Sequence, residues 1–114
     1  MKKLILSIFF TILILSTSPV YANVADKELQ DAFITCLNPV ISQAVSKYYK
    51  TPRGFDLFNT KLLSIKRDRP GEFSFEVIVQ ISTFVGAHNP PVGTDILTIK
   101  LTPSSARVIN YQHY

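Results

Sequence analysis

The sequence predicts one α+β domain in which an N-terminal amphipathic helix packs on a four-stranded antiparallel meander. Apolar residues recur at steps of three and four over residues 23–50, as one buried face of a helix requires. Residues 72–85 instead alternate between apolar and polar side chains, which indicates a long strand with one buried face. Short segments rich in Pro and Gly separate the later strands, so antiparallel neighbours are expected.

The first 22 residues are predicted to be a signal peptide. Lys2 and Lys3 precede an apolar run over residues 4–15, and a small-residue cleavage site ends at Ala22. The run is shorter than the roughly 20 residues of a membrane-spanning helix, so no stable span is expected after cleavage. Cleavage after Ala22 predicts a protein of residues 23–114 that is secreted, extracellular or associated with the cell wall.

The charge of the chain excludes one class of partner. Loss of Lys2 and Lys3 takes the formal net charge from +4 to +2. So small an excess does not indicate nucleic-acid binding.

The predicted helix contains a proline and the single cysteine. Pro39 removes a helical hydrogen bond, which leaves one kinked helix or two helices with Asn38 as the N-cap of the second. Cys36 lies on the apolar stripe of the helix, so a buried structural thiol is expected. One cysteine excludes an intramolecular disulfide framework, and a disulfide-linked dimer is the alternative role. The expected state is a monomer or weak dimer.

Four strands follow the helix, over residues 56–66, 72–85, 94–102 and 107–114. Pro70 and Gly71 suit the centre of a type II turn between the first two. The strands are long enough to curl around the helix, as in cystatin-like or nuclear transport factor two-like folds. That comparison concerns architecture and carries no function.

The segment Gly86–Gly93, GAHNPPVG, is longer than a hairpin needs. Its prolines stiffen a loop that presents His88 and Asn89 at low entropic cost, which is typical of recognition sites. The alternative is a loop that only caps the sheet. The candidate binding residues are His88, Asn89, Pro90 and Pro91.

Other chemistry has little support. His88 and His113, even with Asp95, lack the spacing of a metal site, and no cofactor motif occurs. No nucleophile motif of the GxSxG kind occurs, so no catalytic residue is assigned. The basic cluster Lys66–Arg69 is predicted to guard a sheet edge, while an anionic wall polymer or a lipid headgroup is its alternative partner. Asp68 interrupts that cluster.

Two stretches resemble a known protein family. The run Pro52–Tyr114, with Ser74–Pro91 as its most specific part, and the helix Asp31–Tyr49 are similar to small secreted bacterial proteins labelled domain of unknown function 3888. The resemblance covers nearly all of residues 23–114. It implies a secreted single domain with no assigned activity and adds no catalytic residue.

The sequence favours a non-enzymatic binding module of the cell envelope or extracellular space that uses the Gly86–Gly93 loop. Its expected partner is a protein, a peptide or an envelope component. One alternative is a cystatin-like peptidase inhibitor, because Gln80–Gly86 loosely matches a cystatin hairpin motif. The other is a small cavity enzyme with His88 as general base.

Overall fold

The computed structural model describes residues 26–86 and 89–114. Its elements follow the predicted order of one helix and then strands. They are α1 (Asp26–Tyr49), β1 (Gly54–Phe55), β2 (Lys61–Arg67), β3 (Phe75–Val85), β4 (Asn89–Thr102) and β5 (Ser105–His113).

Helix α1 is continuous through Pro39. The proline is exposed, so its ring lies on the solvent side while the buried residues keep their phase on the sheet side. Asp26 and Glu28 lie in the first turn and Lys47 in the last, which suits the helix dipole. The helix ends at Tyr49 because Lys50 adopts a left-handed conformation, with φ 58°, and donates its N–H to the carbonyl of Ser46. Of the two predicted arrangements, the single helix is therefore observed.

The sheet is antiparallel and has five strands rather than the predicted four. The order is β1-β3-β4-β5, and β2 also pairs with β3, so β1 and β2 lie along the same edge of β3. A turn interrupts the predicted first strand. In it, Asp56 Oδ1 accepts the N–H of Asn59 at 2.8 Å and the carbonyl of Asp56 accepts the hydroxyl of Thr60 at 2.8 Å. This local bonding satisfies backbone groups that the ladder would otherwise need, so the predicted strand begins only at Lys61, as β2, and β1 lies just before its predicted start.

The two connections on either side of β3 differ: the first agrees with the prediction and the second does not. Between β2 and β3, Gly71 has φ 80° and the N–H of Glu72 donates to the carbonyl of Arg69, as the predicted type II turn requires. The segment Gly86–Gly93 was expected to be a loop, but its residues from Asn89 onward belong to β4.

Proline is tolerated at this end of β4 because of how the strand is paired. The ladder with β3 shifts register between Thr83 and Val85, and the register with β5 begins only at Asp95. Bulges and unpaired strand edges need no proline N–H.

The core lies between α1 and one face of the sheet. Ile81, Leu97 and Ile99 are completely buried, and Ile41 and Val45 cover them from the helix. Within the described residues no helix is both long and apolar enough to cross a membrane.

Candidate functional site

Of the four predicted binding residues, the structure describes the backbone of three. His88 lies outside the described residues. The backbones of Asn89, Pro90 and Pro91 form the first part of β4, where Asn89 pairs with Val85. The binding role of these four residues therefore stays a prediction, and the described chemistry begins a few residues along the same strand.

A buried aspartate lies where β4, β5 and the end of α1 meet. The Asp95 side chain is 0 % exposed, and three donors surround it. The hydroxyls of Tyr49 and Tyr111 donate to Oδ2 at 2.5 and 2.6 Å, and His113 Nδ1 lies 2.5 Å from Oδ1. Because a carboxylate only accepts, Nδ1 of His113 carries the proton in this contact. The three bonds compensate the cost of burying the charge.

The surroundings of Asp95 favour neutral phenols. Burial, followed by the hydrogen bond to Asp95, raises the pKa of Tyr49. The same two causes raise the pKa of Tyr111 far above its ordinary value. Both tyrosines therefore stay protonated as donors over the physiological range, and the network fixes α1 against β4 and β5.

Aromatic packing extends this network toward solvent. The rings of Tyr48 and Tyr111 stack with centroids 4.1 Å apart and planes 10° apart. His113 meets Tyr49 edge to face at 5.7 Å. The His113 side chain remains 38 % exposed, so this end of the sheet carries an accessible imidazole above a buried carboxylate.

Arg53 joins the network to a neighbouring cleft. Its Nε donates to the hydroxyl of buried Thr83 at 3.1 Å, and its guanidinium carbon lies 4.2 Å from the centroid of the Tyr49 ring. Among the described residues, no carboxylate forms an ion pair with Arg53. The described residues thus restrict the orientation of this cation without pairing it with a carboxylate.

Gly93 connects Arg53 to the Gly86–Gly93 segment. A Cβ atom at this position would lie 2.7 Å from His113 Cε1 and 2.8 Å from both Arg53 Nη2 and Thr83 Oγ1. Only glycine lets the β4 backbone approach these side chains so closely. The hydroxyl of Thr83 also donates to the Gly93 carbonyl at 3.5 Å. The predicted loop segment and the observed site are therefore adjacent through this residue.

The cleft beside Arg53 has a volume of about 330 Å³. We call it the Arg53 cleft; its lining residues are Asn38, Ser42, Val45, Ser46, Arg53, Gly54 and Phe55. Asn38, Ser42 and Ser46 recur every four residues, so their polar groups form one line along α1. Across from them lies β1, with the Phe55 side chain partly packed on the core. The cleft therefore combines neutral hydrogen-bonding groups with one cation.

The family of the chain follows from a comparison with known proteins. A sequence model described as protein of unknown function, DUF3888, matches residues 29–114. The chain belongs to the DUF3888 family. No curated protein matches it, and no solved structure matches it.

For this DUF3888 protein, the expectation for Cys36 was wrong. The thiol is exposed rather than buried. The buried residues of this part of α1 are Ile34 and Leu37, so the core-facing side of the helix does not include Cys36. Within residues 26–86 and 89–114, no group of three or more His, Cys, Asp or Glu side chains is placed to hold a metal ion.

The sequence contained a signal for the buried network that the loop prediction overlooked. Thr83 shares the parity of the buried residues of β3, and Asp95 shares that of Leu97 and Ile99 in β4. A polar residue at an inward strand position needs buried partners. Two such positions near one end of paired strands indicate a polar site there.

Proposed function

We propose that this DUF3888 protein is a non-enzymatic binding module that is exported from the cell and recognises an anionic group in the Arg53 cleft. The export part rests on the predicted signal peptide at residues 1–22. The binding part rests on Arg53, a cation that is oriented and lacks an ion-pair partner among the described residues.

The orientation of Arg53 supports recognition of a carboxylate or phosphate. A guanidinium is a planar fork that matches these groups with two parallel hydrogen bonds. The bond to Thr83 and the contact with the Tyr49 ring restrict the side chain before a ligand arrives. Such pre-organisation lowers the entropic cost of binding.

The rest of the Arg53 cleft supports a polar ligand. Ser42 and Asn38 are exposed or half-exposed, and their side chains lie 3.4 Å apart, so both have further hydrogen-bonding capacity. If the anionic group of a ligand binds Arg53, the hydroxyl or amide groups of that ligand lie along α1. An anionic peptide end or a substituted sugar of the cell envelope has this chemistry. In this proposal Gly93, the last residue of the Gly86–Gly93 segment, borders the ligand, because a Cβ atom on Gly93 would lie 2.8 Å from Arg53 Nη2.

The experiment is capture of partners by exported wild-type protein and by an Arg53→Gln variant. Proteins and small molecules from the cell envelope and the culture fluid are retained and identified by mass spectrometry. The matched control is Arg107→Gln, which removes an equal charge from the exposed part of β5. We expect a ligand that the Arg53 variant loses and the Arg107 variant keeps. Identical retained sets, or no retained ligand, would overturn the proposal.

We also propose that the fold is cystatin-like or nuclear transport factor two-like. One helix packed on an antiparallel sheet agrees with a cystatin-like or nuclear transport factor two-like arrangement at the level of layers. The inhibitor alternative follows from the cystatin comparison. Its test is a panel of cysteine proteases, and full protease activity in the presence of excess protein refutes it.

One observation favours a second candidate function, acid–base catalysis. Asp95 orients His113 through Nδ1, which leaves Nε2 as the basic nitrogen of a half-exposed imidazole. The proposed base thereby moves from His88 to His113. The test compares wild type with His113→Gln on panels of ester and peptide substrates. Absence of any turnover by the wild-type protein refutes this function.

A further inference from the structure

We infer that the edge of the sheet formed by β2 is a docking surface for an anionic lipid bilayer. This surface lies outside the Arg53 cleft and does not depend on the binding function proposed there. We call it the β2 edge. It consists of the turn before β2, the strand itself and the hairpin tip that follows, with the residues Phe58, Lys61, Leu63, Ile65, Lys66, Arg67, Arg69 and Phe73.

The β2 edge exposes large apolar side chains. Phe58 is fully exposed, with a relative accessibility of 101 %, and Phe73 is 72 % exposed. Leu63 and Ile65 between them are about half exposed. Among described strands, β2 pairs with β3 alone, so its outer edge faces solvent along a length of about 20 Å. Single exposed apolar residues are ordinary, but four along one edge indicate an interaction surface.

Basic residues alternate with these apolar side chains. Lys61, Lys66 and Arg69 form no ion pair with any described carboxylate. Arg67 lies 5.6 Å from the Phe73 ring and 4.6 Å from the Phe75 ring, and it donates to the carbonyl of Glu72. Arg67 therefore holds the hairpin tip in place rather than serving as a free charge.

The acid that interrupts the basic cluster is compensated within the fold. The Asp68 carboxylate accepts hydrogen bonds from Lys100 and Ser74. The hydrogen bond from Lys100, followed by that from Ser74, lowers the pKa of Asp68. Glu72 is exposed at the tip, and Glu76 lies one strand inward on β3, opposite Lys66. The outermost strand itself therefore presents cations, while Asp68 is paired and Glu76 is set back, so that Glu72 is the exposed acid of the tip.

This charge pattern favours an anionic bilayer over a second copy of the chain as the partner of the β2 edge. A second copy paired through β2 in antiparallel fashion would place Lys61 near Arg67 of the other chain, which like charges oppose. An anionic bilayer attracts the lysines and arginine, and their long stems allow phenylalanine and isoleucine to reach the acyl boundary. An adjoining cleft of about 400 Å³ continues the apolar surface onto α1 through Leu29, Phe33, Leu62 and Ile65, and Asp26 and Gln30 complete its lining at the start of that helix.

The test is co-sedimentation of the exported protein with vesicles. Protein is recovered after export, and its N-terminus is checked by mass spectrometry, so that an apolar leader does not contribute. One vesicle preparation contains phosphatidylcholine, and the other contains phosphatidylcholine with phosphatidylglycerol. We expect binding to the anionic vesicles, weakened by salt, and little binding to the neutral ones.

Two variants separate insertion from simple charge attraction. Phe58→Ser with Phe73→Ser should lower binding to anionic vesicles by about tenfold or more, because two exposed rings no longer enter the bilayer. Lys61→Gln with Lys66→Gln and Arg69→Gln should lower it comparably. The controls are Ile109→Ser with Tyr114→Ser, and Lys47→Gln with Lys50→Gln and Arg107→Gln, which alter exposed apolar and basic residues elsewhere. Far-ultraviolet circular dichroism checks that each variant is folded.

Three results would overturn the inference. The first is no preference of the wild-type protein for anionic vesicles. The second is equal loss of binding in the control variants, which assigns binding to overall charge or apolarity. The third is full binding by the phenylalanine variant with loss in the lysine variant, which assigns binding to charge attraction alone and contradicts docking through the apolar side chains of the β2 edge.

Discussion

The buried carboxylate of Asp95 gives the sharpest prediction about stability. Asp95→Asn keeps the size of the side chain but removes its charge, and Asp95 accepts hydrogen bonds from Tyr49, Tyr111 and His113. A hydrogen bond to a charged group contributes about 1.5–3 kcal/mol and a neutral one about 0.5–1.5 kcal/mol, so each bond weakens by roughly 1 kcal/mol. We therefore expect the free energy of unfolding to fall by about 2–4 kcal/mol, a large part of the roughly 5–15 kcal/mol of a typical domain.

The assay is urea unfolding followed by tyrosine fluorescence and by circular dichroism. The midpoint should fall while the slope stays the same, because the surface exposed on unfolding does not change. Asp31→Asn is the matched control, since Asp31 forms an exposed ion pair with Lys27 at 2.8 Å and exposed pairs contribute little. Equal midpoints for the two variants would refute the reasoning that the network joins α1 to the sheet.

Three further predictions follow from the same contacts. The raised pKa values of Tyr49 and Tyr111 mean that stability is fully present below about pH 10, the ordinary tyrosine pKa, and is lost as the pH rises above it, since unfolded tyrosines release their protons first. Urea midpoints measured at increasing alkaline pH should show this decline, and Tyr111→Phe should reduce it; a decline of equal slope in that variant would contradict the assignment. The lowered pKa of Asp68 implies the opposite dependence: its contribution is present above the ordinary aspartate pKa and is lost as the pH falls through the lower, folded value. Asp68→Asn should reduce the acid-side slope of the midpoint, and an unchanged slope would show that the bond to Lys100 is not maintained in solution. Gly93→Ala should destabilise the protein by about 1–3 kcal/mol in thermal unfolding, because the added methyl group meets three side chains; a melting temperature equal to that of the wild type would show that they move aside.

The regular elements followed from local pattern, and their exceptions have local causes. The alternation over residues 72–85 predicted β3, because side-chain direction in a strand depends only on parity. The start of β2 at Lys61, five residues later than predicted, depends on Asp56 as a hydrogen-bond acceptor in a turn. From the sequence alone, Asp56 beside an apolar run was compatible with a turn and with the end of a strand. The sequence did not decide between one helix and two at Pro39, because the cost of a proline inside a helix depends on whether its side of the helix is exposed.

The candidate site was harder to predict because its residues are distant in sequence. Tyr49 and Asp95 are separated by 46 positions, and the hydrogen bond between them forms only when α1 packs on the sheet. The helical phase predicted Tyr48, not Tyr49, as the inward residue, and this prediction was wrong, because Tyr48 is 46 % exposed. The structure turns Tyr49 toward Asp95 and leaves Tyr48 stacked on Tyr111. The bond of His113 to Asp95 depends on the register of β5 against β4, which pairs these two residues.

The most direct test of the central claim is a titration of isotope-labelled protein followed by nuclear magnetic resonance. The probes are inorganic phosphate, a short peptide with a free C-terminal carboxylate, and the same peptide with an amidated end. We predict that phosphate or the carboxylate peptide shifts the backbone amides of Ser46, Arg53 and Gly54, that the amidated peptide does not, and that Arg53→Gln weakens binding about tenfold to a hundredfold. Unchanged amides at these positions, or equal shifts in the Arg53 variant, would contradict an anion-binding role for the Arg53 cleft.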